Sequence, residues 1–229
     1  MQRRVTGLDR VAGGWWWLRL AGLPTDFDLG QYVRLDFDEQ TCFLPLTHAS
    51  AREGWAGGLL PPGGLPAGLT LGATVTTGPL TGDALPQHYP SAPLLFAEGA
   101  GIGPVLALAE RTDPPPVLVI LGAWRDVPAR LCPSHFLLPG LPPEAIAGVK
   151  SLEDASIPAR VASMAGGPGC FEGEGLTLLR HYLAELPAVH RQAMPLAACL
   201  PEGRLEPWLD ELEGLLASVH LAEMPAPHP

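Results

Sequence analysis

At 229 residues the chain is long enough for one large domain or two small ones with real cores. It is 47% hydrophobic and 17% charged, with 14 basic against 24 acidic residues and a net charge of −10. This composition excludes a disordered chain, and the lack of clustered positive charge (Lys150 is the only lysine) argues against a nucleic-acid or anionic-lipid partner.

The first half reads as strands. Val5 to Val11 is a short polar–apolar alternation, Gly13-Gly14 a turn, and Trp15 to Leu20 an aromatic, β-rich run. The Trp15-Trp16-Trp17 triplet is either a binding platform or a strand with one face on the core. Tyr32 to Phe37 has a clean period of two, and Cys42 to Leu46 is a further apolar run. From Glu53 to Leu69 the chain is Gly/Pro-rich, centred on Pro61-Pro62-Gly63-Gly64, and reads as loop. Thr70 to Thr77 returns to strand before Gly78-Pro79. The second half alternates buried strands with helices: strands at Pro93–Ala97, Val117–Leu121, Ala159–Ala162 and Leu196–Cys199, and helices at Pro104–Glu110, Leu176–Leu186 and about Leu205–Val219. Such alternation implies βαβ units and a mostly parallel sheet.

The expected architecture is therefore β followed by α/β. A β-barrel domain occupies residues 1–88, a nucleotide-binding α/β domain 89–223, and a disordered tail 224–229. No apolar run reaches the roughly 20 residues of a membrane helix and no signal peptide follows Met1, so the chain reads as cytoplasmic and without a membrane span. Cys42, Cys132, Cys170 and Cys199 form no C-x-x-C pair, which leaves no zinc or iron–sulfur site and no metal ligand set.

The most informative stretch is Leu94-Leu95-Phe96-Ala97-Glu98-Gly99-Ala100-Gly101-Ile102-Gly103-Pro104. An apolar strand runs into a glycine turn and a helix start. Glycines permit positive φ and close approach of a ligand, Pro104 suits the first helical position, and the helix N-terminus is a seat for a pyrophosphate. The spacing is not G-x-G-x-x-G, and a tight crossover without ligand is the plainer alternative. Glu98 would be an awkward neighbour for a phosphate.

These residues resemble the ferredoxin–NADP reductase superfamily. Gly99 to Pro104 resembles its G-G-T-G-I-A-P loop, Gly30-Gln31-Tyr32-Val33 its G-Q-Y/F strand, and Leu44-Pro45-Leu46-Thr47-His48-Ala49-Ser50 its R-P-Y/F-S-x-A-S flavin motif. Gly78-Pro79-Leu80-Thr81-Gly82 resembles its G-P-x-G turn, Leu121 to Arg125 its G-x-R strand end, and Ala198-Cys199-Leu200-Pro201-Glu202-Gly203 its late C-G-P motif. Within the superfamily the chain resembles flavin reductases and the electron-transfer subunit of dihydroorotate dehydrogenase, without the latter's iron–sulfur cysteine cluster.

The resemblance implies a Greek-key barrel that binds FAD and a parallel-sheet domain that binds NAD(P)H, with electrons passing to an acceptor or a redox partner protein. It assigns Thr47 and Cys199 catalytic positions beside flavin and nicotinamide. Pro45, Leu46, Thr47, His48 and Ser50 would contact the flavin; Gly99, Ala100, Gly101, Ile102, Gly103, Pro104, Arg125, Pro201 and Glu202 would contact the nucleotide. The sequence departs from the family in three places. Leu44 replaces the arginine that meets the flavin pyrophosphate, a charge-assisted bond worth roughly 1.5–3 kcal/mol, and Leu46 replaces the stacking aromatic. Leu200 replaces the glycine of the late motif. Between Ala51 and Leu69 the family's strand and phosphate-binding turn are expected to be partly missing, with Arg52 the nearest compensating cation.

Single residues carry competing readings. Cys199 either shapes hydride transfer or is a buried structural thiol. Arg125 binds a ribose phosphate or lies on the surface. His48 donates a proton near a reduced cofactor or is a plain loop histidine. No G-x-S-x-G elbow or hydrolase triad is present. The functional expectation is an NAD(P)H-dependent flavin-type oxidoreductase; the alternative is a non-catalytic, reductase-like nucleotide-binding or interaction scaffold.

Overall fold

The computed structural model describes residues 1–225, which form two large sheets and a small two-stranded ribbon. The first half folds into β1 (Gln2–Arg10), β2 (Trp16–Ala21), β3 (Tyr32–Phe37), β4 (Gln40–Pro45), β5 (His48–Ser50), β6 (Trp55–Leu60) and β7 (Thr74–Thr81). Their order is β4-β3-β7-β1-β2-β6-β5, all antiparallel, with β7 returning between β3 and β1 in Greek-key fashion. The backbone amide of Thr47 donates to the Gly57 carbonyl at 2.9 Å, joining the end of β4 to β6 and closing the sheet into a barrel.

Alternation decides which side chains fill the barrel. Val33 pairs with Leu44 and Leu35 with Cys42. Val33, Leu35, Leu44 and Leu46 enter the barrel core with Val5, Leu18 and Leu20. Trp55–Leu60 is a strand, not the loop its glycines suggested. Those glycines serve packing: a Cβ on Gly58 would lie 1.8 Å from the Pro45 carbonyl oxygen, so only glycine lets β4 cross β6 this closely.

The second half contains β8 (Leu94–Glu98), α1 (Ile102–Ala109), β9 (Leu118–Ala123), β10 (Leu131–Pro133), β11 (Ala147–Val149), α2 (Lys150–Asp154), β12 (Ala159–Ser163), β13 (Phe171–Glu172), α3 (Gly175–Glu185), α4 (Ala188–Gln192), β14 (Pro195–Pro201), α5 (Leu209–Leu215) and β15 (Ser218–Met224). Six of these strands form a parallel sheet in the order β13-β12-β9-β8-β14-β15, and β10 and β11 make a separate antiparallel ribbon. The central strands β8 and β9 are buried along almost their whole length, as helices on both faces require.

Two expectations at the C-terminus are corrected. The helix read across Leu205–Val219 is only the short α5, and Ser218–Met224 is a strand along β14, with Met224 paired to Pro201 and 1% exposed. Met224 is thus part of the sheet; of the expected tail, residues 226–229 lie outside the described residues.

The barrel and the parallel sheet meet through buried apolar side chains. Trp15, 2% exposed, leaves the barrel to join the core of the parallel sheet with Leu29 and Leu85. Its indole Nε1 donates to the Asp126 carbonyl at 2.9 Å, so the buried ring also satisfies its one polar group. The Trp triplet is therefore structural at Trp15, with Trp16 and Trp17 in β2. Among the described residues no helix is long and apolar enough to cross a membrane, and no group of three or more His, Cys, Asp or Glu could hold a metal ion.

Candidate functional site between the barrel and the sheet

Chain order along the parallel sheet reverses between β8 and β14: from β8 the chain runs one way to β9, β12 and β13, and then returns to β14 on the other side. In open parallel sheets the crevice at the carboxyl ends of such a pair is where ligands bind. Here that crevice faces the barrel and forms a cleft of about 620 Å³. Gly99 and Ala100, after β8, and Pro201, ending β14, form its sheet side. Thr41, Phe43 and Pro45, the outward residues of β4, line its barrel side. The turn Pro61–Pro66 and the end of β15 complete it.

The glycine loop is built differently from the expectation. Gly99 has φ +54°, in the left-handed region, and its missing Cβ would sit 3.6 Å from the Pro201 ring. It and Ala100 are the only loop residues on the cleft. A Cβ on Gly101 would be 1.9 Å from the Cys199 carbonyl oxygen, so this glycine lets the loop lie on β14. A Cβ on Gly103 would touch Leu59 and Thr47 at 3.3–3.4 Å, which shows the helix start pressed against the barrel. Gly101, Ile102, Gly103 and Pro104 are all buried. The N-terminus of α1 is therefore covered by β6 and by the residues that follow β4, and is not a seat for a pyrophosphate.

Thr47 and Cys199, assigned to catalysis, do not face the cleft. Thr47 is 1% exposed; its Oγ1 contacts the Gly57 carbonyl at 3.4 Å and His48 Nδ1 at 3.0 Å, and its own carbonyl accepts from Arg111 Nη2 at 2.7 Å. Cys199 is fully buried and burial pushes its thiol well above the usual range, as expected of a structural thiol. Leu46 is likewise core, beside Leu44. The family's arginine and aromatic positions are thus turned into the barrel, and the cleft surface comes from their neighbours Phe43 and Pro45. Period-two alternation against Val33 and Leu35 was the signal that could have found Phe43.

His48 packs edge-on against Trp17, ring centroids 5.3 Å apart. Desolvation of its ring, followed by the nearby Arg111 charge, holds its imidazole below the usual histidine range. Ser50 ends β5, and its Oγ accepts the Glu53 amide of the following turn at 3.2 Å. Arg125 and Glu202 are exposed beyond β9 and β14, and their backbones are fixed: the Arg125 carbonyl accepts from Ser163 Oγ at 2.7 Å and the Glu202 amide donates to Met224 at 2.9 Å.

Glu98 has a specific place. Its Oε1 accepts the Leu176 amide at 3.2 Å in the first turn of α3, and its Oε2 pairs with Arg204 Nε at 2.9 Å. Arg204 also reaches Glu174 at 3.0 Å, and the bond to Glu98 comes first among the contacts that raise its pKa. A buried carboxylate here complements the positive end of α3 and a cation together. The residue that looked awkward for a phosphate is turned away from the cleft into an internal network, which sequence spacing gave no means to pair.

No family model matches this chain, and no curated protein does. Solved structures do. A cytochrome P450 reductase from Amycolatopsis superposes with a TM-score of 0.67 at 17% identity, covering 100% of this chain and 71% of that one. The flavohem-like FAD/NAD-binding domain of nitric oxide dioxygenase from Vibrio cholerae gives 0.64 at 16%, covering 98% of each. An intact type IV self-sufficient cytochrome P450 monooxygenase gives 0.61 at 17%, and this chain spans only 27% of its length. The chain has the ferredoxin reductase-like fold, a barrel followed by a parallel-sheet domain.

Proposed function

We propose that this chain is a nicotinamide-dependent, flavin-type electron-transfer module. A nicotinamide nucleotide docks along the carboxyl ends of β8, β9 and β14, and a flavin ring stacks in the cleft between β4 and Gly99–Ala100. The observation that carries the reading is the position of the cleft: it opens at the switch point between β8 and β14 and is walled on its other side by the barrel. The flavohem-like FAD/NAD-binding domain of nitric oxide dioxygenase superposes over both parts of this chain.

The residues present fit a planar ring. Pro45, Leu60 and Phe43 offer an apolar wall, Phe43 is braced edge-on by Tyr32 with centroids 5.7 Å apart, and Pro201 closes the opposite side. Gly99 brings backbone to the cleft without a side chain in the way. A bound flavin supplies acceptance of a hydride and its onward delivery as electrons. The chain's own part is to hold the two rings against each other and to keep water from between them. Exposed Arg125 is the cation available to a nucleotide phosphate at the end of β9; Arg204 is already engaged by two carboxylates. The acceptor is a second flavin, a quinone or a partner protein, and the nicotinamide is NADH or NADPH.

The test is protein-dependent oxidation of NADH or NADPH in the presence of flavin, compared between wild type and Ala100→Trp, which fills the cleft. The reading expects turnover in the wild type and its loss in the variant at unchanged thermal midpoint. Turnover that survives Ala100→Trp would place the reaction elsewhere.

A further inference from the structure

We infer that the cleft recognises a flavin by its ring system alone and makes no ionic contact with its phosphate, so that riboflavin, FMN and FAD are bound about equally and reversibly. This deepens the proposed function and rests on it. Among the described residues lining the cleft there is no lysine, arginine or histidine; its ionisable groups are Glu39 and Cys42. The Cys42 thiol, pushed up to about 12 by burial with Asp36 adding to the effect, stays neutral. The one charge facing the cleft is therefore negative, in a chain of net charge −10.

Among the described residues, four other candidates for a phosphate contact are already engaged. The N-terminus of α1 is covered by Thr47 and Leu59 packed on Gly103. The first turn of α3 is taken by the Glu98 carboxylate. Arg34, on the neighbouring strand, is held by Asp36 and reaches toward Thr41. Arg111 is tied to the Thr47 carbonyl behind the wall. Leu44, where the family resemblance implies an arginine, points into the barrel. What remains is apolar surface with a polar edge at Gln40 and Thr41, suited to a flat, uncharged heterocycle. A phosphate arm finds no cation among the residues lining the cleft.

The experiment is a titration of the protein with riboflavin, FMN and FAD, followed by quenching of flavin fluorescence, at low and at high sodium chloride. The expected result is three dissociation constants within about threefold of one another, unchanged by salt. Glu39→Arg, which places a cation at the mouth, is expected to tighten FMN and FAD at low salt by about tenfold and to leave riboflavin within twofold. Wild-type FAD bound tenfold or more tighter than riboflavin, or weakened by salt, would reveal a phosphate contact and overturn the inference while leaving the flavin reading intact. Failure of all three flavins to bind would overturn the flavin reading and this inference with it.

Discussion

Replacing Gly101 by alanine separates a packing role for the glycine loop from a ligand-binding one. Gly101 has φ −67° and ψ −14°, so alanine meets no backbone strain. The added Cβ instead lies 1.9 Å from the Cys199 carbonyl oxygen and 2.3 Å from its carbon. Relief demands a displacement of about 1 Å, and neither side can give. Cys199 belongs to β14, held between β8 and β15, and the loop continues into Gly103, already pressed on Leu59 and Thr47. Overpacking of this kind costs typically 1–3 kcal/mol, and two rigid backbones put this case at the upper end. At 2–4 °C per kcal/mol for a chain of this size, the thermal midpoint falls by roughly 6–12 °C. Gly99→Ala is the control. Its Cβ meets only Pro201 at 3.6 Å, and its left-handed φ costs about 1–2 kcal/mol. The assay is thermal unfolding by far-ultraviolet circular dichroism, beside flavin binding. The account expects Gly101→Ala to lose more stability than Gly99→Ala. A Gly101→Ala protein that melts with the wild type but no longer binds ligand would refute it.

Other perturbations read other parts of the structure. Trp15→Ala removes the buried wedge between barrel and sheet and is expected to cost about 3–5 kcal/mol, read as the shift of a urea unfolding midpoint; a shift under 1 kcal/mol would contradict a tightly packed interface. Glu98→Ala removes the acceptor of the α3 amide and one partner of Arg204, an expected loss of about 2 kcal/mol after allowing for the exposure of Arg204, with no loss of flavin affinity because the network faces away from the cleft. Burial holds the Cys42 thiol neutral at pH 8, and Cys170 and Cys199 are buried. A thiol reagent should therefore mark half-buried Cys132 first, as read by mass spectrometry; early labelling of Cys199 would contradict its burial. His48 has a lowered folded-state pKa, so the unfolded chain binds its proton more readily. Stability from this group is present above the ordinary histidine range near 6.5 and is lost as pH falls through it. The difference in urea midpoint between pH 7.5 and pH 5 should shrink in His48→Gln.

Much of the fold was legible because its signals are local. The alternation of Tyr32–Phe37, the apolar runs at 94–97 and 117–121, and the glycine turn between strand and helix each follow from the residues in one window. The failures share a cause in long-range packing. Gly57 and Gly58 read as loop, yet they are glycines because the Leu18 carbonyl of β2 presses on the first and the Pro45 carbonyl of β4 on the second. Gly101 and Gly103 read as a ligand cradle, yet they answer to β14 and to the barrel. Ser218–Met224 is an edge strand beside β14 whose mixed polarity let the preceding helical spacing run on too far. At the site, Pro45, expected at a flavin, and Gly99, Ala100 and Pro201, expected at a nucleotide, line one cleft, whereas Thr47 and Cys199 were named for positions that this chain buries. Glu98 pairs with Arg204 across 106 residues, a distance at which spacing carries no information.

The central claim is that hydride passes from a nicotinamide to a flavin ring in the cleft. The most direct measurement is anaerobic mixing of the protein and riboflavin with NADH or NADPH, following the flavin band near roughly 450 nm, with the transferred hydrogen of the nicotinamide replaced by deuterium in a parallel run. The account predicts bleaching that depends on the protein, slows with deuterium and disappears in Ala100→Trp. Bleaching no faster than in buffer with either nucleotide, or equally fast in Ala100→Trp, would contradict it.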